Sequence, residues 1–156
     1  GYLTTDGRYG LGTTTIPGRI VGGERATQGE LRAIWWALVH TPVSHPITVF
    51  TDSLDAVELM ADWRQGKMTM PDGYTTERIS GREATLVQLA KLVHRAGERI
   101  TVEKVRSHTG HPLNEGADAL AKMARAWAVG RLPQEVVAGD ARRAVLSSLM
   151  RYAALL

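Results

Sequence analysis

Val105-Arg106-Ser107-His108-Thr109-Gly110-His111-Pro112-Leu113-Asn114-Glu115-Gly116-Ala117-Asp118-Ala119-Leu120-Ala121 reads as a strand end, a polar loop and a helix in direct succession. Val102 and Val105 belong to an extended run over residues 101–106, which Gly110 and Pro112 break. Asn114 stands where an N-cap is expected, and Glu115 suits the positive end of a helix dipole. Asp118 then falls about one turn into the helix. A carboxylate there and a histidine in the preceding loop can face one point beyond the strand ends. The bland alternative is a solvated loop before an acidic first turn. What lies upstream decides between them.

Working back from this stretch, residues 100–105 form the last strand, closed at its start by Gly97. A helix over residues 84–96 precedes it, with Leu86, Leu89, Ala90 and Val93 on its inner side. Residues 66–81 have no clear period and contain Pro71-Asp72-Gly73, so they read as a loop. Residues 54–63 form another helix, whose apolar side is Leu54, Val57, Met60 and Ala61. It follows a compact strand over residues 47–50 that ends in Thr51-Asp52-Ser53. Pro42 and Pro46 mark the loop before that strand. Thr27-Gln28-Gly29-Glu30 matches a capping box opening the first helix, which buries Leu31, Ile34, Trp35 and Leu38. The first 21 residues read as an antiparallel meander of extended pieces at 2–5, 13–16 and 19–21, punctuated by Asp6-Gly7 and Pro17-Gly18. A meander followed by alternating strands and helices makes a mixed sheet with helices packed on it.

Working forward, the helix from Glu115 runs to about residue 129 and places Ala117, Leu120, Ala121 and Ala124 at helical spacing. Beyond Gly130, Asp140 is positioned to cap a final helix carrying Val145, Leu146, Leu149, Met150 and Ala153. The division expected is a main domain over residues 1–129 and a helical extension over 130–156. The extension's apolar stripe is expected to fold back on the core, with self-association or docking of another domain as the alternatives.

A chain of 156 residues is long enough for one domain with a substantial core. No stretch is long and apolar enough to span a membrane, and no signal peptide is apparent. The absence of cysteine excludes disulfides and thiolate zinc sites, and it fits a reducing compartment, so a cytoplasmic location is expected. The chain opens on Gly1 rather than Met, so a fragment of a longer protein, or a start left by a tag remnant, is expected. The net charge of +3 is mild, but if several carboxylates gather in one site the rest of the surface is more basic than that total. That balance leans towards an anionic partner without requiring one.

Asp6, Glu30, Asp52 and Asp118 are the carboxylates that share a pattern. Asp6 and Asp52 each end a short strand in Thr-Asp followed by a small residue, and the other two lie near helix starts. If the first and fourth strands are neighbours, the four can converge. Ionised carboxylates a few ångströms apart repel, and hard divalent cations with oxygen ligands relieve this. Mg²⁺ suits such a site because it takes few carboxylates and keeps waters. Two such ions about 4 Å apart stabilise both the attacking and the leaving oxygen in phosphodiester hydrolysis. Each residue also has a plain structural role open to it. Asp6-Gly7 is a common turn, Glu30 completes a capping box, Asp52-Ser53 starts a helix, and Asp118 offsets a dipole.

In their order these segments resemble ribonuclease H, type 1. That family carries a strand-end Asp-Gly, a Glu at the first helix, Thr-Asp-Ser after the fourth strand, and His-x-Gly-His-Pro-x-Asn-x-x-x-Asp near the end. Here they are Thr5-Asp6-Gly7, Glu30-Leu31, Thr51-Asp52-Ser53 and the segment from His108 to Asp118. The resemblance covers roughly residues 2–127. It implies a ribonuclease H-like α/β fold, a mixed five-stranded sheet with helices on both faces. It further implies a metal-dependent endonuclease that hydrolyses the RNA strand of RNA–DNA hybrids. Asp6, Glu30, Asp52 and Asp118 would hold two Mg²⁺ ions, with Mn²⁺ an alternative. His108 would assist proton transfer or product release, a role that suits an imidazole. Asn114 matches a family position near the substrate. Gly7, Thr27 and Gln28 are candidates for the minor groove of the hybrid, and Arg25 for a phosphate. His111 reads as a loop-stabilising residue, and His40, His45 and His94 as structural or surface residues.

Three departures from the family bear on substrate grip. The segment Arg8-Tyr9-Gly10-Leu11-Gly12 is compact where the family has a longer loop. Ala26-Thr27-Gln28 stands before the helix Glu where the family often has Asn or Gln. The basic, Trp-rich handle is reduced to Trp63, Arg64 and Lys67, followed by a short, mildly basic stretch over residues 68–81. Weak hybrid affinity or reliance on a partner domain would follow. A monomer is expected. The rival functions are a non-catalytic nucleic-acid-binding module on the same fold, a DNA-directed metal nuclease of the wider fold, and an interaction domain using the last helix.

Overall fold

The structure is a computed structural model that describes residues 1–41 and 45–156; Pro42 lies outside the described residues. The chain divides into two compact units. One comprises Thr15–Lys104, and the other joins Gly1–Thr14 to Val105–Leu156.

In the first unit, α1 (Gly22–Val39), β3 (Ile47–Thr51), α2 (Leu54–Arg64), α3 (Thr85–Ala96) and β4 (Ile100–Lys104) follow in order. Strands β3 and β4 pair in parallel, with Ile47 opposite Ile100 and Thr51 opposite Lys104. A parallel pair needs a long crossover, and α2 with α3 supplies it. The core is Leu31, Ile34 and Leu38 of α1, Ala56, Met60 and Trp63 of α2, Leu86, Leu89, Ala90 and Val93 of α3, and Ile100. The periodic faces expected for α1 and α3 are therefore the buried ones. That of α2 is rotated: Ala56, Met60 and Trp63 are buried, whereas Leu54 is exposed. Burial of the bulky Trp63 together with Met60 in the core sets the inward face, while the Ser53 hydroxyl caps the helix start by accepting from the Ala56 amide at 3.1 Å.

In the second unit, β1 (Tyr2–Leu3) pairs antiparallel with β2 (Tyr9–Gly10), and α4 (Pro112–Ala128) is followed by α5 (Gln134–Ala153). Leu120, Ala141 and Val145 form its core, with Leu3, Tyr9, Leu11, Met123 and Leu149 packed against them.

Several sequence expectations are corrected. The described residues form two two-stranded sheets, not one of five strands. The pieces at 13–16 and 19–21 are not strands, and the partner of β1 is Tyr9–Gly10. The Arg25 guanidinium accounts for part of this. Its Nη1 donates to the carbonyls of Ile16, Pro17 and Ile20 at 3.1, 3.4 and 3.4 Å, diverting acceptors that a strand ladder would use. The first helix begins at Gly22, not at Thr27: Glu24, Arg25 and Ala26 are helix formers that extend it, and the glycines lie only in its first turn. Thr27 therefore lies inside the helix, and the capping box is not formed. Asn114 is not the cap of α4. His111 is, its Nδ1 accepting from the Asn114 amide at 3.4 Å, with Pro112 favourably placed at the first helical position. Asp118 accordingly lies nearly two turns into α4. The last helix begins at Gln134, so Asp140 is internal to it; its buried face is Val137, Ala141, Val145 and Ser148, and Leu146 and Met150 are exposed.

Candidate active site

Glu30 and Asp52 belong to the unit of residues 15–104. Glu30 lies in the middle of α1, and Asp52 directly follows β3. Thr51, the last residue of β3, is fully buried, and its hydroxyl donates to Glu30 Oε1 at 2.7 Å. The same hydroxyl accepts from the Ser53 amide at 3.2 Å. One side chain thus ties the strand end that carries Asp52 to the helix that carries Glu30. Because Ser53 caps α2, Asp52 is spared that duty.

Asp6 and Asp118 belong to the other unit. Asp6 sits in the turn between β1 and β2, where Thr4 N donates to Arg8 O at 2.8 Å and Gly7 N to Thr4 O at 3.1 Å. Gly7 has φ +89°, a left-handed conformation that glycine adopts without strain. The Thr4 hydroxyl donates to Asp6 Oδ1, and Arg8 Nε lies 3.2 Å from Oδ2. The Thr4 hydroxyl foremost holds the Asp6 carboxyl below its ordinary value of 3.8; desolvation pushes the other way, and the Arg8 amide and guanidinium add to the lowering. Asp118 pairs with Lys122 one turn along α4 at 2.9 Å. His108 lies in the loop before α4 with φ +54°, a region that non-glycine residues seldom occupy outside turns and functional sites. Thr109 Oγ1 donates to Arg106 O at 2.9 Å and closes that loop.

The remaining candidates are placed as follows. Asn114 is part-buried in the first turn of α4. Thr27 and Gln28 are buried, and the Thr27 hydroxyl donates to Asp55 Oδ2 at 3.0 Å. Arg25 is engaged with the carbonyls of residues 16–20 described above. The reduced handle is largely structural: Trp63 is fully buried with Nε1 donating to Thr69 O at 2.5 Å, and Arg64 Nη2 donates to Ile100 O. His40 stacks on Trp36, and His94 bonds to Arg64 O, in keeping with structural roles.

Among the described residues, no group of three or more His, Cys, Asp and Glu side chains lies close enough together to hold a metal ion. The donor chemistry nevertheless fits a hard divalent cation: four carboxylates, no thiol, and at least partial exposure of each. Sequence reasoning missed Thr51, Thr4, Arg8 and Lys122 as the groups that hold these carboxylates. The signal for Thr51 was its place beside Asp52 at a strand end, where alternation turns it inward. Lys122 was marked by its i,i+4 spacing from Asp118 in a predicted helix; no comparable signal marked Thr4 and Arg8.

A model of the RNase H family matches residues 2–126. A ribonuclease H of Anaeromyxobacter dehalogenans (strain 2CP-1 / ATCC BAA-258) is 32% identical over 120 residues, an alignment covering 76% of this chain and 63% of that protein. No solved structure matches. The family match spans β1 through nearly all of α4 and includes all four carboxylates and the His108 loop, so the chain belongs to the RNase H family.

Proposed function

We propose that this chain is an endonuclease that hydrolyses the RNA strand of RNA–DNA hybrids, with Asp6, Glu30, Asp52 and Asp118 as its metal-binding residues. The reading rests on family membership and is supported, within the chain, by the Thr51 hydroxyl, which ties the strand end preceding Asp52 to the helix that carries Glu30. Two divalent ions, Mg²⁺ or Mn²⁺, would supply positive charge for the scissile phosphate and a water acidic enough to attack it near neutral pH. Glu30 and Asp52 would present oxygen ligands from a preset strand–helix junction. Asp6 and Asp118 would do so after parting from Arg8 and Lys122. His108 would carry a proton to or from the reacting oxygens. The RNA strand would be marked by its 2′-OH groups. Lys122, Arg125 and Arg131 line a cleft at the end of α4, which suits a polyanionic partner. A cytoplasmic monomer, with residues 1–129 as the catalytic domain and 130–156 as an extension, completes the proposal.

One observation favours a second reading, a binding module without catalysis. Arg8 and Lys122 pair with Asp6 and Asp118 and partly offset the charge that a cation site would need. The two readings separate on cleavage of labelled RNA–DNA, RNA–RNA, DNA–DNA and single-ribonucleotide duplexes with Mg²⁺, Mn²⁺ or chelator. Cutting of the hybrid's RNA strand alone, only with metal, is the expected result. Hybrid binding without cutting would favour the module.

A further inference from the structure

Helix α5 lies wholly beyond residue 126, where the family match ends. One of its faces runs antiparallel along α4. Val145 packs in the cluster with Leu120. Ser148 faces Gly116, where an added Cβ would stand 2.5 Å from the serine Oγ. Arg151 Nη2 reaches Glu115 Oε2 at 2.6 Å, and the Tyr152 ring lies against that of His111, centroids 6.1 Å apart and planes tilted by 47°. Leu149, on the same face, comes within 3.7 Å of where a Cβ on Gly7 would stand, beside Asp6. Positions 145, 148, 149 and 152 are one helical stripe. The stripe ends on the residue that caps α4, whose ring accepts from the Asn114 amide and whose carbonyl accepts from the Glu115 amide at 3.0 Å.

We propose that α5 is a clamp on the half of the candidate site that carries Asp6, His108 and Asp118, with Tyr152 and Arg151 as positioning residues acting through His111 and Glu115. The proposal rests on the nuclease reading for its effect on turnover, though not for its effect on structure. His111 fixes where α4 begins. That start sets both the direction of the His108 loop before it and the angular position of Asp118 within it. The cap bond to Asn114 is long at 3.4 Å, and the Tyr152 ring packed against His111 adds a contact that helps to hold the imidazole at the helix start. Arg151 holds the first-turn carboxylate of Glu115 near the helix end.

The test uses the full chain carrying Tyr152→Ala, Tyr152→Phe, Arg151→Gln or, as a control on the exposed face, Met150→Ala. Hybrid cleavage and amide exchange are measured for each. Tyr152→Ala should lower kcat roughly fivefold with KM within about twofold, and speed exchange at Asn114 and Glu115 by a similar factor while Leu120 stays protected. Tyr152→Phe should restore both, and Met150→Ala should change neither. Arg151→Gln should speed exchange at Glu115 and serves as the second variant if Tyr152→Ala does not fold. Wild-type exchange at Asn114 and Glu115 in both Tyr152→Ala and Arg151→Gln would overturn the clamp. So would equal loss of protection at Leu120, which would mean a general loss of stability. If the unaltered chain cuts nothing, the nuclease reading fails, and the exchange pattern still decides the clamp.

Discussion

Thr51 donates its hydroxyl to Glu30 across 21 residues of sequence, from the end of a buried strand to the middle of the first helix, at 2.7 Å. A neutral hydroxyl given to a carboxylate fixes that carboxylate's orientation without cancelling its charge. Arg8 and Lys122, by contrast, partly neutralise the carboxylates they hold.

Thr51→Val keeps the volume and removes the donor. Cleavage is expected to slow on the order of tenfold, because Glu30 loses its preset orientation. The fold should hold with a loss of about 1–3 kcal/mol. Single-turnover rates and thermal melts of the variant check both numbers.

His108 tests role against conformation. Removing the ring by His108→Ala should slow turnover far less than Asp52→Asn, which should abolish it. His108→Gly should be more stable than His108→Ala by about 1 kcal/mol, since glycine adopts the observed φ of +54° without strain. Equal melting points for the two would show that the loop is not held in that conformation.

Gly116→Ala puts a methyl into Ser148 and Leu3, 2.5 Å from Oγ and 2.8 Å from Cδ2. Overpacking of this kind costs about 1–3 kcal/mol. Ser148→Gly in the same chain should recover part of the loss, which denaturant unfolding of the double variant would show.

The carboxyl of Asp6 is held low chiefly by the Thr4 hydroxyl. A depressed carboxyl contributes stability above its unfolded value and loses it as pH falls through its folded value. The contribution is therefore present at neutral pH and disappears only below about pH 4. Thr4→Val should raise the Asp6 titration midpoint, read from its carboxyl carbon resonance, and reduce the acid-side slope of stability.

The helices over residues 84–96 and 54–63 were legible from their apolar spacing and their punctuation, Gly97 after the first and the capping Ser53 before the second. The parallel strands were legible as compact β-branched runs. The N-terminal region was not. Thr13, Thr14 and Thr15 have strand propensity, but Arg25 takes the carbonyls that follow them, a tertiary contact invisible in local sequence. Asn114 was misread as a cap because His111 has the less familiar capping side chain, although Pro112 pointed to it. Gly139-Asp140 looked like punctuation, yet packing of Val137 and Ala141 carries α5 straight through it. At the site, the four carboxylates stood out by their places at strand ends and near expected helix starts and by the family resemblance, but spacing along the chain does not say that they converge. Lys122 could be read from its i,i+4 spacing to Asp118; Thr4 and Arg8 could not, because each is an ordinary polar residue until the turn sets it beside Asp6.

The most direct test of the central claim is metal-dependent cleavage of a labelled RNA–DNA hybrid by the unaltered chain beside its Asp52→Asn variant. The account predicts cutting of the RNA strand with Mg²⁺ or Mn²⁺, none with chelator, and none by the variant although it folds and melts like the parent. Wild-type turnover by Asp52→Asn, or cutting that persists in chelator, would contradict it.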